Sequence, residues 1–168
     1  MKLVKESISF QRGIDPKETL GIGQKYLIEK WLEEMKIKDY IIRDDMTIDV
    51  GAVELRDKGI VMLPEYIKFN RVGEFQIRRN KLISLRGSPE YVETFFVCDN
   101  NQLTSLKYSP KECGYFSCTG NLLTSLEGCP KIVHNDFWCE DNSKQFTIQE
   151  VLQYCKVSKK DITVKSQF

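Results

Sequence analysis

The chain is 168 residues long and carries 25 Lys plus Arg against 24 Asp plus Glu, a formal net charge of +1. That length suits one compact domain with a buried core, and the charge balance excludes an overall field pulling toward nucleic acid or an anionic membrane, so any charge logic must be local. No apolar run approaches the roughly 20 residues of a bilayer span, and the opening Met1-Lys-Leu-Val-Lys-Glu-Ser7 lacks the apolar stretch of a secretory signal, so a cytoplasmic chain is expected.

In chain order, residues 15 to 36 read first, as a helix. Asp15 offers an N-cap, Pro16 the first helical position and Glu18 an acid at the third. Gly21-Ile22-Gly23 is expected to interrupt it, leaving a main helix from about Gln24 to Met35. Its apolar stripe of Leu27, Ile28, Trp31, Leu32 and Met35 is expected to dock on the open end of the repeats downstream. Tyr40 to Arg43, a turn at Asp44-Asp45, and Met46 to Val50 then read as a hairpin.

Beyond it the chain repeats itself. Asn80, Asn101, Asn121 and Asn142 fall at steps of 21, 20 and 21, and other columns move with them. Phe75, Phe96, Phe116 and Phe137 precede each Asn by five residues, and Ile77, Cys98, Cys118 and Cys139 by three. After the first three Asn come Leu82, Leu103 and Leu123, then Leu85, Leu106 and Leu126, then Pro89, Pro110 and Pro130. The run from Val72 to Leu82 and that from Cys113 to Leu123 resemble the leucine-rich-repeat consensus, with Phe and Cys in some leucine places, while the other two copies are offset by one residue at their first position. Such a unit supplies a short strand with alternate residues inward, an Asn that can satisfy backbone groups at the bend, and a return whose Pro suits an outer edge. Val53, Leu55, Ile60 and Leu63 read as an incomplete entry copy, with Lys58 where Asn is expected. The fourth copy has Lys144 in a leucine place, so stacking is expected to stop there. Thr147 to Glu150 is a capping box opening a short helix to about Val157, with Ile148, Val151, Leu152 and Cys155 on one side. The last residues, from Ser158, leave either a small edge strand or a loose tail.

The predicted fold is therefore α+β: a short leucine-rich-repeat solenoid with parallel strands stacked on one face, an N-terminal helix and hairpin cap, and a C-terminal helical cap. Its expected divisions are a leader at 1–24, the N-terminal cap at 25–50, repeats at 51–143 and the C-terminal cap at 144–168.

Reactive constellations are absent from the sequence: no nucleophile with its base, and no G-x-S-x-G or H-E-x-x-H. His134 is the only histidine, so a multi-His metal site is excluded. Six cysteines, at 98, 113, 118, 129, 139 and 155, show no C-x-x-C spacing. Cys98, Cys118 and Cys139 share an inward column and read as packed thiols, the alternative being a metal or redox role. No catalytic residue, metal or cofactor is expected. Alternation instead sends the residues between core positions onto the concave face, in four rungs. They are Glu74, Gln76, Arg78; Phe95, Val97, Asp99; Tyr115, Ser117, Thr119; and Asp136, Trp138, Glu140. Arg78, Phe95, Val97, Asp99, Tyr115, Ser117, Trp138 and Glu140 are the candidate protein-binding residues, Phe95, Tyr115 and Trp138 being the aromatic anchors. The alternative is that these rings stack on each other or lie under the caps. A platform for single-stranded nucleic acid also uses aromatics, but the carboxylates of Asp99, Asp136, Glu140 and Asp141 argue against it.

Asn100 to Leu106 and Gly128-Cys129-Pro130-Lys131 resemble units of leucine-rich-repeat proteins encoded by tailed bacteriophages, and the repeats also resemble those of bacterial type III secreted effectors. Gly87-Ser88-Pro89 and Tyr108-Ser109-Pro110 depart from the phage pattern by lacking Cys before Pro. The segment from Lys5 through Phe10, Arg12, Gly13, Asp15, Pro16 and Lys17 to Gly23 resembles a leader that such phages place before otherwise different proteins. The resemblance implies a phage-encoded chain in the host cytoplasm or the virion. Its expected role is non-enzymatic binding of a host or phage protein through the concave face, without nucleic acid or membrane. The second reading is a virion-associated structural protein recruited through residues 1–24, and a cysteine-dependent enzyme comes third.

Overall fold

The computed structural model describes residues 16–164, with side chains from residue 21 onward. The expected cap at Asp15, most of the leader and the last four residues lie outside this range.

Helix α1 spans Pro16–Glu34 without a break, so the interruption expected at Gly21-Ile22-Gly23 does not occur. A glycine inside a helix costs about 1 kcal/mol relative to Ala. Burial downstream outweighs that cost, since Ile28, Trp31 and Leu32 are all buried and join the main core. Leu27, expected in the same stripe, is exposed. The helix ends where Lys36 turns left-handed (φ 61°) and the Ile37 amide donates to the Leu32 carbonyl at 2.9 Å. This closure satisfies an orphan carbonyl and buries Ile37 beside it.

Strand β1 (Tyr40–Ile42) pairs antiparallel with β2 (Ile48–Glu54). Asp45 shapes their turn by accepting from the Thr47 amide at 3.0 Å and hydroxyl at 2.7 Å. From β2 onward all pairing is parallel. Strands β3 (Phe69–Gln76), β4 (Tyr91–Val97), β5 (Glu112–Ser117), β6 (Ile132–Val133), β7 (Phe137–Trp138) and β8 (Ile162–Thr163) stack in chain order, β6 and β7 being two parts of one rung. The result is a β-solenoid of about six turns.

Two columns explain why these strands stack. Phe75, Phe96, Phe116 and Phe137 are fully buried, with ring centroids 5.4, 5.7 and 5.1 Å apart from one turn to the next. Beside them the Asn column fastens each turn to the one before. Asn121 donates to the carbonyls of Cys98 and Cys118, both at 3.1 Å, and accepts from the Leu103 amide at 3.1 Å. Asn101 repeats the arrangement one turn earlier with Ile77, Cys98 and Leu82, and Asn142 one turn later with Cys118, Cys139 and Leu123. Asn80 does the same for the entry turn through Leu55, Lys58 and Ile60.

The one-residue offset between copies is absorbed locally as a bulge. Val72 pairs with Val92 and Phe75 with Phe96, so three residues between the columns in β4 oppose two in β3, and the register shifts again toward β5. The strands with two residues between the columns carry glycine at this place. A Cβ on Gly114 would stand 2.7 Å from the Thr94 carbonyl oxygen, and one on Gly73 2.3 Å from that of Gly51. At both places the backbone approaches its neighbour too closely for any side chain.

Stacking does not stop at Asn142. The Lys144 amide still reaches the Leu123 carbonyl at 3.0 Å, because the bond is made by backbone and does not need leucine at that position. Helix α2 (Ile148–Tyr154) opens on the expected capping box, Thr147 and Glu150 each bonding the other's backbone, and buries Val151. It ends at Tyr154, short of Val157, and Ile148 is exposed rather than on the buried side. After it the chain rejoins the coil: the Lys156 amide donates to Lys131 at 2.8 Å, and β8 pairs in parallel with β7 through Phe137–Ile162 and Trp138–Thr163. The terminal residues thus supply a strand, not a loose tail, as far as they are described.

Candidate functional site

The face opposite the buried columns carries a groove of about 480 Å³. Arg78, Phe95, Val97, Asp99, Ser117, Trp138 and Glu140 all line it, as strand alternation requires of residues between the inward positions. Tyr115 lies between Phe95 and Trp138 in the aromatic ladder. Glu74, Gln76 and Thr119, members of the predicted rungs but outside the candidate set, line the groove as well.

The three aromatics form a continuous stack. Phe95 and Tyr115 are 4.4 Å apart at 13°, and Tyr115 and Trp138 6.1 Å apart at 10°. Parallel register sets this up: Phe95 pairs with Tyr115, and Trp138 with Ser117 one rung over. The rings do stack on each other, yet each remains half-buried, so the ladder keeps an accessible surface. Stacking also fixes their rotamers, which lowers the entropy lost when something lands on them.

The charged groups along the groove differ in how they are satisfied. Asp99 accepts hydrogen bonds from the Ser117 hydroxyl and, at 3.0 Å, from the Thr119 amide, and Ser117 itself is buried in the groove floor. Burial pushes the Asp99 carboxyl above its ordinary range, against the opposing pull of those two bonds. Glu74 faces the Gln76 amide at 3.5 Å. Arg78 makes no ion pair among the described residues, and its Nε is buried without a hydrogen-bond partner. The neighbouring arginines behave differently: Arg43, Arg56, Arg71, Arg79 and Arg86 are each paired with a carboxylate. Glu140 is likewise without an ion pair among the described residues.

The raised Asp99 carboxyl carries a linkage prediction. With the folded value above the unfolded one, the ionised form opposes folding, and that penalty disappears as pH falls below the ordinary carboxylate range, at about 4. Asp99→Asn keeps an oxygen for Ser117 and Thr119 and removes the charge. The variant is expected to melt higher than the wild-type protein at pH 7, the gap narrowing toward about pH 3.5, just below that range. Thermal melts at the two pH values test this, and a gap that stays constant contradicts it.

The cysteines sit on the other side of the strands. All six are free and buried. The Cys98 and Cys118 thiols donate to the next turn's carbonyls, Ser117 at 3.2 Å and Trp138 at 3.6 Å. Burial pushes both thiols well up, and Cys139 up to about 12. A thiol held neutral is a weak nucleophile and a weak metal ligand. Among the described residues no His, Cys, Asp or Glu side chains gather as a metal site. His134 is exposed and bonds Glu112 at 2.6 Å, at the strand starts, away from the groove.

The sequence contained no signal for the Asp99–Ser117–Thr119 network or for the missing partner of Arg78. Both depend on which way a side chain turns within its rung. Among the described residues no helix is long and apolar enough to cross a membrane. No protein family, curated protein or solved structure matches the chain.

Proposed function

We propose that this chain is a non-enzymatic, protein-binding solenoid of the leucine-rich-repeat type, phage-encoded, that holds a host or phage protein in the groove of its concave face. In this reading α1 with the β1–β2 hairpin, and α2 with β8, cap the two ends of the core. The observation that carries the proposal is the half-buried ladder of Phe95, Tyr115 and Trp138 along the groove. Pre-stacked aromatics are what energetically dominant interface residues are commonly made of. The phage origin, with the host cytoplasm or virion as its location, rests on the sequence resemblance alone.

The test is capture from host cells with wild-type protein and with the Phe95→Ala/Tyr115→Ala/Trp138→Ala variant, followed by titration of the purified partner. Two or more hot-spot losses of at least about 2 kcal/mol each correspond to a roughly 10³-fold weaker Kd. A partner that binds the triple variant with undiminished affinity, the variant's fold being intact by circular dichroism, refutes the groove as the binding surface.

A further inference from the structure

We propose that the groove selects an extended peptide segment of opposed end charges, a carboxylate at Arg78 and a cation at Glu140. This rests on the groove being the binding surface and adds the chemistry of what it binds.

Arg78, Asp99, Thr119 and Glu140 occupy one row across four successive turns, each standing two residues before the Asn of its turn. The backbone bonds from Arg79 to Asp99 (2.9 Å), Asn100 to Thr119 (2.8 Å) and Gly120 to Glu140 (3.0 Å) hold that row in register. Its middle members are satisfied internally, Asp99 accepting from Ser117 and from the Thr119 amide. Asp99 adjoins Arg78 in the row and makes no ion pair with it, and one of its carboxylate oxygens is held by the next turn. The two ends make no ion pair among the described residues. Arg78 is the described arginine without a carboxylate, it lines the groove, and its Nε is shut off from water with nothing to donate to. A partly desolvated guanidinium gains most from a carboxylate that meets its remaining donors. Glu140 lines the opposite end beside Trp138, a position where a cation meets both a carboxylate and an aromatic face.

The row also sets a length. Three strand spacings of about 4.8 Å separate the Arg78 turn from the Glu140 turn, roughly 14 Å, which an extended chain covers in about four residues. The selected segment therefore carries Asp or Glu at one position and Lys or Arg four positions away. Phe95 and Tyr115 lie four residues back along their strands from this row, and Trp138 two.

Selection from a random dodecapeptide library tests this with the whole chain as bait. Wild-type protein is expected to enrich acid-x-x-x-base segments. Arg78→Glu is expected to weaken the best such peptide at least about 10-fold, and the Arg78→Glu/Glu140→Lys double variant to bind the charge-exchanged peptide better than the original. Recovery by charge exchange separates recognition from a folding defect. Enrichment without opposed charges at that spacing, or charge-exchanged peptides no better on the double variant, overturns the inference. If the enriched peptides bind the Phe95→Ala/Tyr115→Ala/Trp138→Ala variant equally well, the groove reading itself is what has failed.

Discussion

Phe116→Ala should unfold at a temperature lower by about 10–15 °C, while Tyr115→Ala, one residue away, should lose only a few degrees. Phe116 is fully buried between Phe96 and Phe137. Its truncation removes a ring that neighbours on both sides pack against, and backbone ladders above and below limit how far the hole can collapse. Losses of about 3–5 kcal/mol are typical of such sites, and for a chain of this size each kcal/mol moves the midpoint by about 2–4 °C. Tyr115 stands in the aromatic ladder on the other face of the strand and is half-buried, so its loss costs stacking with Phe95 and Trp138 but opens no internal cavity. Thermal unfolding of the two single variants decides the matter. Equal losses would mean that the strand does not alternate as described.

A comparable loss is expected from Asn121→Ala, for a different reason. Asn121 is nearly inaccessible, and its amide group answers the Leu103 amide and the Cys98, Cys118 and Thr119 carbonyls at 3.1 to 3.4 Å. Alanine leaves the buried Leu103 N–H without an acceptor and withdraws bonds from the carbonyls. A single buried unsatisfied group costs about 1–3 kcal/mol, so a total of about 3 kcal/mol or more is expected. Asn121→Asp should be worse at neutral pH, because it turns a carboxylate toward carbonyl oxygens. That new carboxyl would have a folded value raised above its unfolded one, so the penalty fades as pH falls and the protonated group can donate again. Denaturant melts at about pH 7.5 and about pH 5 should show Asn121→Asp gaining on Asn121→Ala at the lower pH. An aspartate variant with no pH-dependent recovery contradicts the role given to the amide donors.

The coil could be read from the sequence because its determinants recur. Phe, Asn and Leu stand in columns, and each makes the same contact in every turn, so periodicity and contact are one signal. The positions of Phe95, Trp138 and Glu140 on the groove follow from alternation alone. What escapes such a reading is whatever occurs once. Continuity through Gly21 and Gly23 depends on burial of Ile28, Trp31 and Leu32 farther along, which local propensity does not contain. The strand at Ile162 has no repeat column to announce it and forms because β7 offers an open edge. Spacing puts Leu27 and Ile148 in apolar stripes, but the neighbouring surface covers only part of each stripe. The solitary state of Arg78 is a property of side-chain direction, invisible beside the ion-paired Arg79 next to it in the chain.

The Asn column has a direction. Asn101, Asn121 and Asn142 each take an amide proton from the preceding turn and give one to its carbonyl. A turn is thus latched by residues that come after it in the chain, about one repeat later. During synthesis, at about 5–20 residues per second, the latch for a given turn leaves the ribosome only seconds after the turn itself. No turn has to wait for the far end of the protein. Assembly can run from the amino end at the pace of translation, with a single unlatched turn at the growing edge.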